Sequence, residues 1–228
     1  MALAARVPIE ARRVLASVAP IAPVQSVRTT ADNSEILGGS FALCFNGVCS
    51  NSDATLLRIL PSAQLTAGSF ALTLDDGLGG AAVASTCISW DAAADDGSSG
   101  SVAAAASTFL PSGVSVRVRR DLIVRSLSAP AGGVQLRVFL IDSGGGLGST
   151  FTVGITDAGC GGWNSGVGAP AVSLSADNVV GVAFPADAPA DALEGWLSLT
   201  HPDVSSATVL RSLPVLGGGY IWTITLRS

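Results

Sequence analysis

The sequence predicts an all-β protein built of tandem sandwich modules, each carrying one short helix. Three observations point there: a period of about ninety residues, apolar residues alternating between Gly, Asn and Asp turns, and a composition rich in Gly and Ala but only 5% aromatic. Pro20, Pro111 and Pro202 stand 91 residues apart, twice; the same offset carries Val27 to Val118 to Val209, and Arg28 to Arg119.

The helix precedes each proline. The offset aligns Ala11, Val102 and Leu193; Val14, Ala105 and Trp196; Leu15, Ala106 and Leu197; Val18, Phe109 and Thr200. These positions run i, i+3, i+4, i+7, one stripe of an amphipathic helix. In the last copy Asp187 is placed to cap, Pro189 and Asp191 suit the first turn, and Pro202 blocks continuation. In the middle copy "DDGSSGS" delays the start to about Ser101.

After each proline comes an extended stretch. It is clearest in "VSVRVR", where Val114, Val116 and Val118 face one way and Ser115, Arg117 and Arg119 the other. The basic cluster Arg117, Arg119 and Arg120 reads as the solvent face of that strand. A glycine pair and another strand follow, from Gly38, Gly132 and Gly218, and a shorter echo, "GSFAL", stands at both Gly39 and Gly68. The expected boundaries are 1–23 for the closing helix of a partial module, 24–121 for one module, and 122–228 for a second with the opening strands of a further one. Units of this size and texture are those of an immunoglobulin-like sandwich.

Within "FALCFNGVCS", Asn46-Gly47 between alternating apolar residues is a hairpin signal that sets Cys44 opposite Cys49. A disulfide fits that register, with free thiols or half a metal site as the alternative. For zinc, however, Cys87 and Cys160 stand alone and His201 is the only histidine. No metal and no cofactor are expected.

A net charge of −5 and a pI near 4.6 argue against a nucleic-acid groove. All twelve basic residues are arginine, which excludes a Walker A loop, a Schiff-base lysine and a lysine base. No apolar run is long enough to span a membrane as a helix, and Glu10, Arg12 and Arg13 interrupt any signal-peptide core near Met1. Four cysteines nevertheless favour an oxidising compartment, which implies a leader removed or located upstream. With no Asn-x-Ser/Thr acceptor, any sugars would be O-linked.

Catalytic patterns are weak. His201 reads as a structural or solvated residue at a helix end, "GCGGWNSGVG" does not match a nucleophile elbow, and "DSGGGLGST" lacks the lysine of a phosphate loop and reads as a flexible hairpin connection. Asp75, Asp76, Asp91, Asp95 and Asp96 lack EF-hand spacing and read as turn caps rather than calcium ligands. Trp90, Trp196 and Trp222 fall on apolar periodic positions, whereas Trp163, in a glycine-rich loop, is expected to be an exposed contact.

The segments "VQSVRTTA" with "GGSFALCFNG", "ISWDAAADD" with "VSVRVRR", and "GGYIWTITL" resemble the tandem repeats of flagellar-hair (mastigoneme) proteins and related large surface proteins of algae and other protists. Departures are Cys49-Ser50 after the glycine turn, an insert from about Asn51 to Ala84, and "GGVQLRVFL", which lacks the aromatic pair of "GGYIW". The resemblance implies a non-enzymatic, glycosylated component of an extracellular or flagellar-surface fibre. The alternative is an adhesion or glycan-binding module using Trp163. In the fibre, the strand of Gly218, Gly219, Tyr220 and Trp222 would pair with the N-terminal segment of the next chain, giving head-to-tail self-association. If Cys87 pairs with Cys160, the bond would join consecutive modules.

Overall fold

Val27, Val118 and Val209, the valines related by the 91-residue offset, are all buried, and each lies in a strand paired antiparallel with one that follows a glycine pair. The strands of Val27 and Val209 share one partner, the strand after Gly218, while that of Val118 pairs with the strand after Gly132. The computed structural model describes residues 12–13, 24–29, 39–75, 82–111, 113–142, 152–215 and 219–227.

The chain opens with β1 (Arg12–Arg13), β2 (Val24–Arg28), β3 (Ser40–Phe41), β4 (Cys44–Phe45) and β5 (Val48–Cys49). It continues through β6 (Ala54–Pro61), β7 (Ala67–Asp75), β8 (Val83–Ala84), β9 (Ile88–Ser89), α1 (Val102–Ser107), β10 (Val114–Ile123), β11 (Gly133–Asp142), β12 (Thr152–Asn164) and β13 (Val172–Val179). It closes with β14 (Phe184–Pro185), α2 (Ala190–Leu199), β15 (Ser206–Arg211) and β16 (Ile221–Arg227).

These elements form two units, one inserted within the sequence of the other. Ser52–Val180 makes an inner unit, while the segments up to Asn51 and from Gly181 onward make an outer one. The division differs from the expected boundaries: that between Asp121 and Leu122 falls inside β10, whose ladder to β11 runs unbroken from Val114 to Ile123. The outer unit tolerates the insertion because Val182 N–H donates to Ser50 O at 2.7 Å, so its chain leaves and returns at neighbouring points. In the inner unit the first and last strands likewise pair, Ala54 opposite Val179.

The two units share part of their element order, although the inner one continues through β12 and β13. In the outer sheet β16 lies between β2 and β15; in an inner sheet β11 lies between β6 and β10. A helix precedes the edge strand each time, α2 before β15 and α1 before β10. The "GSFAL" strands occupy matching places, since β3 pairs with β14 through Phe41 and Phe184, and β7 pairs with β9 through Phe70 and Ile88. The echo at Gly68 therefore opens a strand of the inner unit, while the one at Gly39 belongs to the outer.

Each unit has its own apolar core. The inner core lies between the β10–β11–β6–β13 sheet and the β12–β7–β8 sheet, and joins Leu57, Ile59, Phe70, Leu72, Leu136 and Val138 to the buried face of α1. The outer core surrounds Trp222, whose indole N–H donates to Ala188 O at 3.1 Å, with Phe41, Leu193, Leu197 and Ile224. Burial of such side chains, about 1.5–3 kcal/mol each, supplies the main stabilisation of small-residue sheets of this kind.

The helices follow their expected stripes with differences at the ends. In α1, Val102, Ala105 and Ala106 are buried and Ser101 caps, its Oγ accepting from Ala104 N at 3.2 Å. In α2 the N-cap is Pro189 without a side-chain bond, and Asp191 sits in the first turn. Asp187 does not cap as expected; its carbonyl turns outward to accept from Arg211. The N-terminal helix is not seen in its described part: Arg12 and Arg13 pair as a strand with Ser26 and Gln25, because β2 offers an edge to extend. Ala11, Val14, Leu15 and Val18 lie outside the described residues.

Candidate functional site

The cysteine hairpin forms as its turn chemistry requires. Asn46 (φ 45°) and Gly47 (φ 83°) take the two left-handed positions of a type I′ turn, Cys44 faces Cys49, and the two are disulfide-bonded. His201, fully buried, docks this hairpin against the segment after α2. Its Nε2 donates to Phe45 O at 2.8 Å and its Nδ1 accepts from Asp203 N at 3.2 Å, while Phe45 and Trp196 pack edge-on against the ring. Both ring nitrogens are committed to the backbone, a structural arrangement.

Cys87 and Cys160 are also bonded, but within the inner unit rather than between modules. Ser69 of β7 pairs with Ser89 on one edge and Gly161 on the other, so the two cysteines approach β7 from opposite sides. The span is bridged by an irregularity in β12: its register jumps from Thr156 opposite Ala71 to Gly161 opposite Ser69, and the extra residues carry Cys160 toward Cys87.

Trp163 follows this bulge and is half-buried where an exposed residue was expected. It packs against the inner core and covers Gly68, where an added Cβ would meet its Cε3 at 2.1 Å; its indole N–H donates to Asp157 Oδ2 at 3.0 Å. The other expected interface residues are similarly engaged in their own unit. Trp222 is fully buried, Gly219 is buried, the Tyr220 ring carries the Arg211 guanidinium at 4.5 Å, and Gly218 lies outside the described residues. Both edges of β16 are occupied, by β2 and β15, so pairing of this strand with another chain would displace a partner it already has.

Charged side chains settle into local roles. Arg117 pairs with Asp95 at 3.0 Å and Arg119 with Asp121 at 3.0 Å, while Arg120 lies on the opposite face of β10. Burial pushes the Arg137 guanidinium below its ordinary pKa, with nearby Asp121 opposing that effect. Asp91 accepts from Ser89 Oγ, and Asp96 accepts from Ser98 N at 2.9 Å. Asp75 ends β7, and Asp76 and the glycine-rich run after Asp142 lie outside the described residues.

The inner unit also contains a half-open cleft of about 390 Å³. Ile59 of β6, Leu65, Trp90 and Val134 of β11 give it an apolar lining, while Leu122 and Val124 stand 71% and 83% exposed at its rim. Two glycines shape the wall: Gly132 takes φ 76°, and a Cβ on Gly133 would lie 2.5 Å from Ile59 O. Across the mouth Arg125 Nη2 donates to Gln64 Oε1 at 3.2 Å. Sequence reasoning noted the glycine pair and Trp90, the latter as a core residue, but not the cleft, because its residues come from separate segments and share no local motif.

Comparison with known proteins finds no matching family model, no similar curated protein and no similar solved structure.

Proposed function

We propose that the chain is a structural module of an extracellular or cell-surface fibre, its units acting as disulfide-stiffened, immunoglobulin-like sandwiches. The observation that carries this reading is that each unit holds its own disulfide, Cys44–Cys49 in the outer and Cys87–Cys160 in the inner. Such bonds persist in oxidising surroundings. Among the described residues no helix is long and apolar enough to cross a membrane. O-linked sugars on exposed serines and threonines belong to the same proposal.

The cis pairing of β2 with β16 changes how assembly would proceed. Val24 stands opposite Thr225 in an antiparallel ladder, so tension applied at those two points would peel the strands apart one bond at a time. Growth through β15, the terminal strand of its sheet, or through side-chain surfaces leaves that ladder closed. The adhesion reading would rest on the part of Trp163 that stays accessible while the ring packs over Gly68.

Electron microscopy of the native material, with and without reductant, tests the proposal. Regular fibres that loosen on reduction are expected; single particles under both conditions would overturn it.

A further inference from the structure

We propose that the inner-unit cleft is a binding site for an amphipathic carboxylate, with an aliphatic body in the cleft and its carboxylate at Arg125. This goes beyond the fibre reading and does not depend on it. The chemistry of the mouth selects the head group. Arg125 is the charged side chain lining the cleft, and its guanidinium carries donors only. One of these is used on Gln64 Oε1, which leaves the Gln64 amide to present its NH₂. The mouth therefore offers hydrogen-bond donors from both sides, and a carboxylate is the simplest acceptor-only group that satisfies them.

The lining selects the body. Leu65, Trp90 and Val134 give it a wall without charge, and the exposed Leu122 and Val124 at the rim would be covered by a chain leaving the cleft. A volume of about 390 Å³ holds a small ligand rather than a folded element. Because the chain carries a net charge of −5, an anion gains nothing from the overall field, and preference for one reports on Arg125 itself.

Titration calorimetry and amide chemical shifts of the full chain with hexanoate, octanoate and decanoate test this. Affinity should rise about fourfold per methylene until the cleft is filled, with shifts confined to residues 59–65, 90 and 122–134. Decanol and decyltrimethylammonium should bind at least about tenfold more weakly than decanoate, as an anion-selective charged pair requires. Arg125→Gln, at an exposed position, should reduce decanoate binding about tenfold and leave decanol unchanged, whereas Ala131→Phe should block both by filling the cleft. If Ala131→Phe does not fold, Arg125→Gln alone decides. Absence of decanoate binding, equal affinity for the three head groups, or shifts located elsewhere would each overturn the assignment.

Discussion

His201 Nε2 donates to the carbonyl oxygen of Phe45 at 2.8 Å, although the two residues are 156 positions apart. The bond fastens the cysteine hairpin to the segment between α2 and β15, and the same ring accepts Asp203 N–H on its other side. His201→Ala removes both partners, opens a cavity at a fully buried position and leaves the half-buried Phe45 carbonyl and Asp203 N–H without them. The expected cost is about 3 kcal/mol in the outer unit. Hydrogen exchange should show faster opening of residues 43–50 and 200–226 with residues 54–75 unchanged; uniform protection would contradict the docking role.

The two disulfides should differ in what they contribute. Cys87–Cys160 spans a separation of 73 residues and Cys44–Cys49 one of 5. On the chain-entropy estimate these closures correspond to about 4 and about 2 kcal/mol. Replacing each pair by serine and following denaturant unfolding should therefore destabilise the inner unit more than the outer. Equal losses would mean that the denatured inner segment is already constrained without its bond.

The strands and helices were legible in residue spacing because their causes are local. Alternating valines in β10, the Asn46-Gly47 turn and the α2 stripe of Leu193 and Leu197 each act within one or two turns of chain. Nesting was not legible, because it depends on β2 finding β16 after almost the whole chain has intervened, and each ladder reads alike in cis or in trans. Its one trace was the second "GSFAL", which begins the equivalent strand of the inner unit. Trp163 was misread for a similar reason: its glycine-rich surroundings suggest exposure, while the surface it covers, Gly68, lies far back in sequence. The cleft was not legible because its periodic residues, such as Trp90, read as core, and nothing local shows that they also face a cavity.

Gly68 and Trp163 form a pair that can be tested directly. At φ 151° and with the indole against its Cα, Gly68 has no room for a methyl group. Gly68→Ala should cost about 2 kcal/mol or more by displacing the ring and straining the backbone. In Gly68→Ala/Trp163→Ala the steric part is relieved, so the double variant should be more stable than the two single losses summed. Additive losses in thermal unfolding would show that the backbone conformation alone demands glycine.

Acid should loosen the approach to α1. Hydrogen bonds from the Ser98 side chain, then from its backbone N–H, hold the Asp96 carboxyl below the ordinary aspartate pKa. Its folded pKa is thus lower than its unfolded one. The associated stability is present above the unfolded value and is lost as pH falls through the folded value. The carboxylate is fully exposed, so the effect is local rather than global. It reaches the helix because Ser98 O accepts from Ser101 Oγ at 2.9 Å, and Ser101 is the cap of α1. An NMR titration should place the Asp96 midpoint below that of the acid-unfolded chain, with the Ala104 amide moving in step. Asp96→Asn should abolish that coupled movement, whereas its persistence would assign the low-pH change to another group.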